Sequence, residues 1–266
     1  MIEIIRRATA QRAKVALFDF DGSLSLIRTG WMQVMVPMMV EALTEAQSGE
    51  TEEELRQVVE GFVWRLTGQE TIYQMIELAA QVKLRGAAAL DPLAYKRRYL
   101  ERLSDVIRDR VEGLRRGHYP PSQFLVPGSR ALLEALRERG LRLYLASGTD
   151  EPFMKEEADL LDVTRYFDGG VYGALDDYQS FSKRIVIQRM LASSDVCGGE
   201  LIGFGDGYVE IEEVKRVGGV AVGVATDEPE CRVADQWKRR RLIGVGADYV
   251  IPNYLEWEAL LNRILE

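Results

Sequence analysis

The stretch VALFDFDGS, residues 15–23, is an apolar run that ends in two carboxylates separated by one residue. Its first four residues are typical of a short, fully buried strand in a parallel sheet. Ligands of open α/β sheets gather at the carboxyl ends of such strands, so Asp19 and Asp21 are placed where chemistry is usually performed. If the chain stays extended, the two side chains share a face, and that pair of charges needs a cation or a shared proton. Gly22 permits a sharp exit from the strand, and Ser23 can turn its hydroxyl back towards the site.

A second apolar segment, residues 141–146, is followed by Ser147, Gly148 and Thr149. The pattern predicts another strand, preceded by a helix over 129–139. A hydroxyl at the end of a neighbouring strand, with backbone N–H groups after it, can hydrogen-bond a phosphoryl oxygen. Ser147 could equally be the N-cap of the next helix.

A third apolar strand is predicted at the start of LIGFGDGYVE, residues 201–210. Asp206 at its end can bind Mg²⁺ directly, and Glu210, one helical turn later, can hold a metal-bound water, since Mg²⁺ prefers oxygen ligands and keeps several waters. Glu212 and Glu213 are neighbouring rivals that we expect to face solvent. The glycines do not have the spacing of a dinucleotide-binding fingerprint.

A lysine opens the helix predicted for residues 182–191, after a loop predicted at Asp176, Asp177, Tyr178 and Gln179. Lysine is a compact charge that can neutralise a nucleophilic carboxylate and a phosphoryl group together, so we favour Lys183 for that role. Arg184 is its rival, and Lys183 could also be a surface charge.

Residues 24–124 have the periodicity of amphipathic helices and contain no convincing strand. Four helices are predicted, over residues 31–47, 51–68, 71–83 and 91–110. The second begins with a capping box, Thr51 and Glu54. An insertion of roughly 100 residues has the size of a small domain. We therefore predict an α/β core domain formed by residues 1–23 and 125–266, interrupted by an all-helical domain over residues 24–124.

The composition is that of an ordinary globular protein, with 266 residues, 47% hydrophobic and 29% charged. Two cysteines make no disulfide framework, and no apolar leader is present, so we expect a cytoplasmic protein. A net charge of −8 disfavours nucleic acid and anionic membrane as partners. The basic run 238–241 and the basic lead-in 1–14 are therefore interpreted as solvated surface.

These motifs, taken in order along the chain, resemble the four signatures of the haloacid dehalogenase superfamily. The resemblance covers the whole chain and is nearest to its branch of phosphoglycolate phosphatases and beta-phosphoglucomutase-like proteins, which have a helical cap. It implies a Rossmann-like parallel sheet and a cap that closes over the site and supplies substrate specificity. Two departures stand out: many relatives have proline after the lysine, where this chain has Arg184, and many have aspartate where Glu210 stands.

By that resemblance, Asp19 attacks phosphorus and forms an aspartyl-phosphate, while Asp21 protonates the leaving alcohol and then activates water. Mg²⁺ is the implied cofactor. Its implied ligands are Asp19, the backbone carbonyl of Asp21, and Asp206, with Glu210 in contact through water. The implied phosphate-binding residues are Ser147, Gly148 and Lys183.

The resulting hypothesis is a phosphatase of a small phosphorylated metabolite, a sugar phosphate or phosphoglycolate-like acid. A phosphomutase shares every core motif, and a noncatalytic binding module on the same fold is a further alternative. A dehalogenase is disfavoured, because that branch lacks the second acid and Asp21 is present. Residues 26–29 and 67–70 are candidate substrate contacts, and the oligomeric state is left open.

Overall fold

A parallel sheet forms the centre of the α/β core. The computed structural model describes residues 1–175, 177, 182–194 and 196–266, so the predicted loop residues Asp176, Tyr178 and Gln179 lie outside it. Within this part of the chain the strands are β1 (Glu3–Ile4), β2 (Val15–Phe18), β3 (Arg142–Asp150), β4 (Gly170–Ala174), β5 (Leu201–Gly205), β6 (Val220–Val224) and β7 (Tyr249–Ile251). Their order in the sheet is β1-β7-β6-β5-β2-β3-β4. All neighbouring strands are parallel except β1, which runs antiparallel to β7.

Ten helices accompany these strands in the described residues. They are α1 (Trp31–Thr44), α2 (Glu52–Leu66), α3 (Thr71–Leu84), α4 (Pro92–Arg115), α5 (Ser129–Glu138), α6 (Glu151–Leu160), α7 (Lys183–Ser194), α8 (Tyr208–Arg216), α9 (Gln236–Gly244) and α10 (Trp257–Leu265). None of the described helices is both long and apolar enough to cross a membrane. The mixed α/β architecture with a mostly parallel sheet confirms the predicted fold class.

The chain divides into two units, one formed by residues 1–29 and 110–266 and the other by residues 30–109. The first contains the sheet, and the second contains α1 to α3 and most of α4.

The capping box predicted for α2 is present, since Thr51 Oγ1 accepts a hydrogen bond from the Glu54 N–H at 3.3 Å while the Glu54 carboxylate accepts one from the Thr51 N–H at 2.8 Å.

The predicted boundaries at residues 24 and 124 differ from this division. Residues that follow the first motif belong to the sheet-bearing unit, because Leu24 O accepts a hydrogen bond from the Val126 N–H at 2.9 Å and the Leu26 N–H donates one to Phe124 O at 2.9 Å. Arg110 belongs there too, since its guanidinium donates to the carbonyl oxygens of Ile27 and Thr29.

The strand that carries the first motif lies between β3 and β5, and all four of its residues are buried. Phe18 at its end stacks on Phe204 of β5, with ring centroids 4.5 Å apart. A strand covered on both faces must be apolar throughout, which is why it reads as a continuous hydrophobic run. Its central position brings the carboxyl ends of three strands to one edge.

Two local features go beyond the expectations. The basic side chains of the amino-terminal lead-in are exposed, as expected, but the segment also forms β1, which pairs with β7, and Arg6 binds the fully buried Asp248 at 2.7 Å. β3 also continues beyond residue 146, so Ser147 lies within the strand, next to a register irregularity between Ala146 and Asp150.

Candidate active site

The first, second and fourth sequence motifs meet where β2, β3 and β5 end. Asp19 follows β2, and its N–H donates to Phe204 O at 2.9 Å, so the ladder between the two strands extends to the first carboxylate. Ser147 lies near the end of β3, and Asp206 follows β5. Parallel neighbours bring their carboxyl ends to one edge of a sheet, which places these residues together.

A tight turn after Asp21 packs against the neighbouring acid. Gly22 has a positive φ of 72°, and a methyl group there would overlap the Asp206 carboxylate. The Ser23 hydroxyl accepts a hydrogen bond from the Asp206 N–H at 2.9 Å and donates to Asp19 Oδ2 at 3.4 Å. The glycine and serine of the motif therefore hold two acidic residues in fixed positions.

Lys183, at the start of α7, joins two buried carboxylates. Its Nζ donates to Asp19 Oδ1 at 2.8 Å and to Glu210 Oε2 at 2.7 Å. Burial alone would lower the pKa of Lys183, but the charges of these two acids outweigh burial and raise it. Arg184 has a side chain that is 58% exposed and lies 3.9 Å from Glu213. The structure thus brings Lys183, and not its rival, to Asp19.

Asp19, Asp206 and Glu210 form a cluster in which one carboxylate oxygen of each lies within 4.8 Å of the others. Burial raises the pKa of Asp19 well above its ordinary value, Glu210 and Asp206 raise it further, and Lys183 opposes them. Glu210 is also held by the Gly207 N–H, which donates to its Oε1 at 2.6 Å. Asp19 and Glu210 thus share Lys183, and Asp206 lies beside them.

The Asp21 side chain lies outside this cluster and is held by the end of β3. Its Oδ2 accepts hydrogen bonds from the Ser147 hydroxyl at 3.1 Å and the Thr149 hydroxyl at 2.8 Å. Its Oδ1 is buried and has no hydrogen-bond partner among the described residues. The two hydroxyls fix the carboxylate while leaving one oxygen available, and Gly148 separates them in the strand.

An ion pair that sequence reasoning missed lies beside Asp21. Arg28 binds the buried Glu157 of α6 with hydrogen bonds of 2.7 to 3.1 Å, and its Nε lies 3.9 Å from Asp21 Oδ1. Burial raises the pKa of Glu157 to about 7, and Arg28 opposes that rise. The guanidinium also lies over the ring of Phe153, 5.8 Å from its centroid. Glu157 has the spacing of an ordinary helix residue, so no sequence signal marked it.

The basic run 238–241 is not all solvated surface as interpreted above, because Lys238 is largely buried. Its Nζ lies 2.8 Å from Asp206 Oδ2 and 2.7 Å from Glu228 Oε1, and only 18% of its side chain is exposed. Glu228 Oε2 accepts a second hydrogen bond, from the Thr29 hydroxyl at 2.8 Å. Burial alone would lower the pKa of Lys238, yet the two carboxylates outweigh burial and raise it.

Tyr254 is a second residue that the motifs did not reveal. It is fully buried against Phe204, and its hydroxyl has no hydrogen-bond partner within the described residues. Burial raises the pKa of Tyr254 well above its ordinary value, and the negative charges of Asp19 and Asp206 raise it further. The hydroxyl therefore remains neutral over the ordinary pH range.

The acidic cluster has the chemistry of a site for a hard divalent cation. All its side-chain donors are oxygen atoms, and Mg²⁺ is bound through carboxylates in combination with water. Counting Glu228 and the two lysines that contact these acids, four carboxyl groups face two ammonium groups. A divalent cation would balance the remaining two, so the residues fit such an ion.

The two segments expected to contact substrate have different surroundings. Residues 26–29 lie in the sheet-bearing unit, where Leu26, Ile27 and Arg28 are buried. Residues 67–70 connect α2 and α3 in the other unit, and Glu70 is buried there. Their role in substrate contact stays a prediction.

Solved structures resemble this chain over nearly its full length. A predicted phosphatase from Clostridium acetobutylicum is 17% identical, with a TM-score of 0.60 and coverage of 95% of this chain and 99% of that one. A predicted phosphoglycolate phosphatase from Haemophilus somnus 129PT is 13% identical, with a TM-score of 0.58 and coverage of 94% and 98%. A beta-phosphoglucomutase-like protein from Thermotoga maritima is 20% identical, with a TM-score of 0.53 and coverage of 94% and 97%. At these identities the likeness shows the fold.

The family itself is shown by the sequence. No curated protein matches the chain significantly. The family model of haloacid dehalogenase-like hydrolases matches residues 13–218, which include the first acid, Ser147, Lys183 and Asp206. The chain therefore belongs to the haloacid dehalogenase-like hydrolase family, as the order of its motifs predicted.

Proposed function

We propose that the protein is a Mg²⁺-dependent phosphatase of a small phosphorylated metabolite, acting through an aspartyl-phosphate on Asp19. The observation that carries the proposal is the separation of two acids, two residues apart, into different environments. Asp19 is bound to Lys183 within the acidic cluster, whereas Asp21 is held by hydroxyls of β3. Two carboxylates with different surroundings can perform different chemical roles.

Asp19 is the proposed nucleophile. A carboxylate oxygen attacks phosphorus, and the bond from phosphorus to the leaving oxygen breaks. Burial favours the protonated acid, which is a poor nucleophile, and Lys183 opposes that effect. The lysine at 2.8 Å thus favours the ionised form and can also stabilise negative charge on the transferring group.

Asp21 is the proposed acid and base. Protonated on Oδ1, it donates that proton to the leaving oxygen while Ser147 and Thr149 hold Oδ2. In the second step the same oxygen takes a proton from the attacking water, which releases inorganic phosphate and restores Asp19. Because Oδ1 has no hydrogen-bond partner among the described residues, neither transfer requires that a hydrogen bond from these residues first be broken.

The metal site would be formed by Asp19, the backbone carbonyl of Asp21, and Asp206, with Glu210 beside them. When bound, Mg²⁺ supplies positive charge that stabilises the transferring phosphoryl group and orients it. Ser23 and Gly22 hold Asp206 in position for this role, through the hydrogen bond and the close packing described above. Gly148 and Ser147 are the proposed phosphate contacts from β3; because the single hydroxyl proton of Ser147 is donated to Asp21 here, this hydroxyl would contact the phosphate by turning away from Asp21 while Thr149 keeps hold of it.

A phosphomutase is the second candidate, favoured by the likeness to the beta-phosphoglucomutase-like structure. The two reactions share Asp19 and Asp21 and differ in whether water or a sugar hydroxyl accepts the phosphoryl group. Product analysis separates them: a phosphatase releases inorganic phosphate, whereas a mutase yields an isomeric sugar phosphate.

The test is release of phosphate from a panel of phosphorylated metabolites, with Mg²⁺ and with a chelator. We expect release by the wild type with Mg²⁺, and none by Asp19→Asn or Asp21→Asn. Asp159→Asn, at an exposed acid of α6, is the matched control and should retain full activity. Release that survives Asp19→Asn would refute the proposed nucleophile. A wild type that neither releases phosphate nor isomerises any sugar phosphate would leave a binding module as the function.

A further inference from the structure

Two lysines contact the acidic cluster, and only one has a role in the reaction proposed above. Lys183 binds Asp19 and Glu210 from α7. Lys238 approaches from α9 and binds Asp206 Oδ2 at 2.8 Å. Of the three acids, Asp206 is therefore the one that shares its charge with a cation outside the family motifs.

The position of Lys238 is built into the first turn of its helix. Asp235 caps α9, since its side chain accepts a hydrogen bond from the Lys238 N–H at 2.7 Å. Glu228 then fixes the ammonium group at 2.7 Å, and Glu228 is itself held by the Thr29 hydroxyl at 2.8 Å. A lysine restrained by its helix and by a second, anchored carboxylate is unlike a mobile surface lysine.

The side of Asp206 that faces Lys238 is closed by the backbone. A methyl group on Gly22 would overlap Asp206 Oδ2 and would lie 2.8 Å from Glu228 Oε1. The Ser23 hydroxyl accepts a hydrogen bond from the Asp206 N–H and restrains the backbone as well. Asp206 consequently cannot swing far from Lys238, and any cation it binds meets that lysine as a like charge.

We propose that Lys238 competes with the divalent cation for Asp206, so that the Lys238–Glu228 pair sets the metal affinity of the site. The inference rests on the proposed metal-dependent function and deepens it. Lys238 weakens binding by repelling the cation and by drawing charge from its ligand. Glu228 limits this weakening of cation binding, because it holds the ammonium group of Lys238 between two carboxylates.

Opposite changes in affinity are expected from the two members of the pair. Removing the lysine charge in Lys238→Met should tighten Mg²⁺ binding at least tenfold, since it also leaves the Glu228 carboxylate without its cation. Glu228→Gln keeps the lysine and removes its second anion, so binding should weaken about threefold or more. Arg240→Met removes one exposed positive charge from the same helix and should change the affinity less than twofold.

The experiment is calorimetric titration of each full-length variant with Mg²⁺ at fixed ionic strength, after circular dichroism has verified folding. If Lys238 only tethers α9, both substitutions weaken binding or leave it unchanged, and the inference is overturned. Tighter binding by Lys238→Met together with weaker binding by Glu228→Gln supports it. If Lys238→Met fails to fold, the Mg²⁺ affinity of Glu228→Gln is compared with that of Arg240→Met. An affinity of Glu228→Gln within twofold of the wild type overturns the inference.

The titration also separates failure of this inference from failure of the proposed function. Suppose that the wild type binds Mg²⁺, that Asp19→Asn does not, and that Lys238→Met binds with the affinity of the wild type. This result removes the role of Lys238 and leaves the proposed metal site intact. A wild type that binds no Mg²⁺ removes the metal-dependent function, and the inference with it.

Discussion

Replacement of Lys183 by methionine is the sharpest test of the acidic cluster. Methionine keeps an unbranched apolar side chain and removes the ammonium group that lies 2.8 Å from Asp19 and 2.7 Å from Glu210. The neighbouring residue Arg184 supplies the control, because Arg184→Met deletes the same charge from the same helix at an exposed position.

The size of the stability loss expected for Lys183→Met follows from the burial of its two partners. Asp19 and Glu210 are both buried, so the substitution leaves two carboxylates without their shared cation. Loss of one partner from a buried ion pair costs about 3–5 kcal/mol, whereas loss from an exposed pair costs about 0–1 kcal/mol. We therefore expect Lys183→Met to reduce the free energy of unfolding by several kcal/mol more than Arg184→Met does.

The pH dependence of this loss has a definite sign. Without Lys183 the pKa of Asp19 rises further above its unfolded value, because burial, Glu210 and Asp206 all raise it. A carboxyl group with a raised folded pKa stabilises the fold below its unfolded pKa, and that stability is lost as the pH rises. The deficit of Lys183→Met should consequently not shrink as the pH rises from 5 to 8, since it grows between the folded pKa of Asp19 in the wild type and the higher folded pKa in the variant, and added Mg²⁺ should reduce it.

The assay is urea unfolding followed by circular dichroism, at both pH values, with and without Mg²⁺. With a typical urea dependence of 1–3 kcal/mol per molar, the midpoint of Lys183→Met should fall by about 1 M or more at pH 8. A deficit within about 1 kcal/mol of that of Arg184→Met, or one that grows towards pH 5, would refute the reasoning.

Three further predictions concern residues around the two acids. Ser147→Ala combined with Thr149→Val releases Asp21 from its two hydroxyls, so kcat for phosphate release should fall about 10- to 100-fold, while folding by circular dichroism is retained. Glu157→Gln removes a carboxyl whose folded pKa, about 7, exceeds its ordinary 4.5, so the stability of the wild type relative to this variant should fall by about 2–3 kcal/mol between pH 5 and pH 8 in urea unfolding. Tyr254→Phe removes a buried hydroxyl without a partner among the described residues, so thermal unfolding should show equal or greater stability, by up to about 1 kcal/mol.

Each of these has a contrary outcome, and the first has a control variant. Ser48→Ala, at an exposed serine, should leave kcat unchanged, and an unchanged kcat in the double variant would argue against positioning of Asp21. If the stability of the wild type relative to Glu157→Gln instead rises with pH, the charge of Arg28 has a larger effect on the pKa of Glu157 than burial does. Destabilisation by more than 1 kcal/mol in Tyr254→Phe would reveal a partner for that hydroxyl.

Local features of the chain could be predicted from the sequence because they depend on residues that are close together along the chain. The buried run before Asp19 and the capping box at Thr51 are defined by residues within one strand or one helical turn, and both are present. The order of the four motifs was sufficient to predict the family. Rules for parallel sheets were sufficient to bring Asp206 and Ser147 to the same edge as the first acid.

Tertiary structure alone decided the partners of the charged residues outside the motifs. Arg28 with Glu157, and Lys238 with Asp206, join residues far apart in sequence, and each side chain has the pattern of an ordinary surface charge until the fold encloses it. The pairing of β1 with β7 is of the same kind. Sequence determined the acids of the motifs and favoured Lys183 as the cation of Asp19, whereas folding determined the other pairs around the site, because charge interactions depend on distance and burial, and neither is local to the chain.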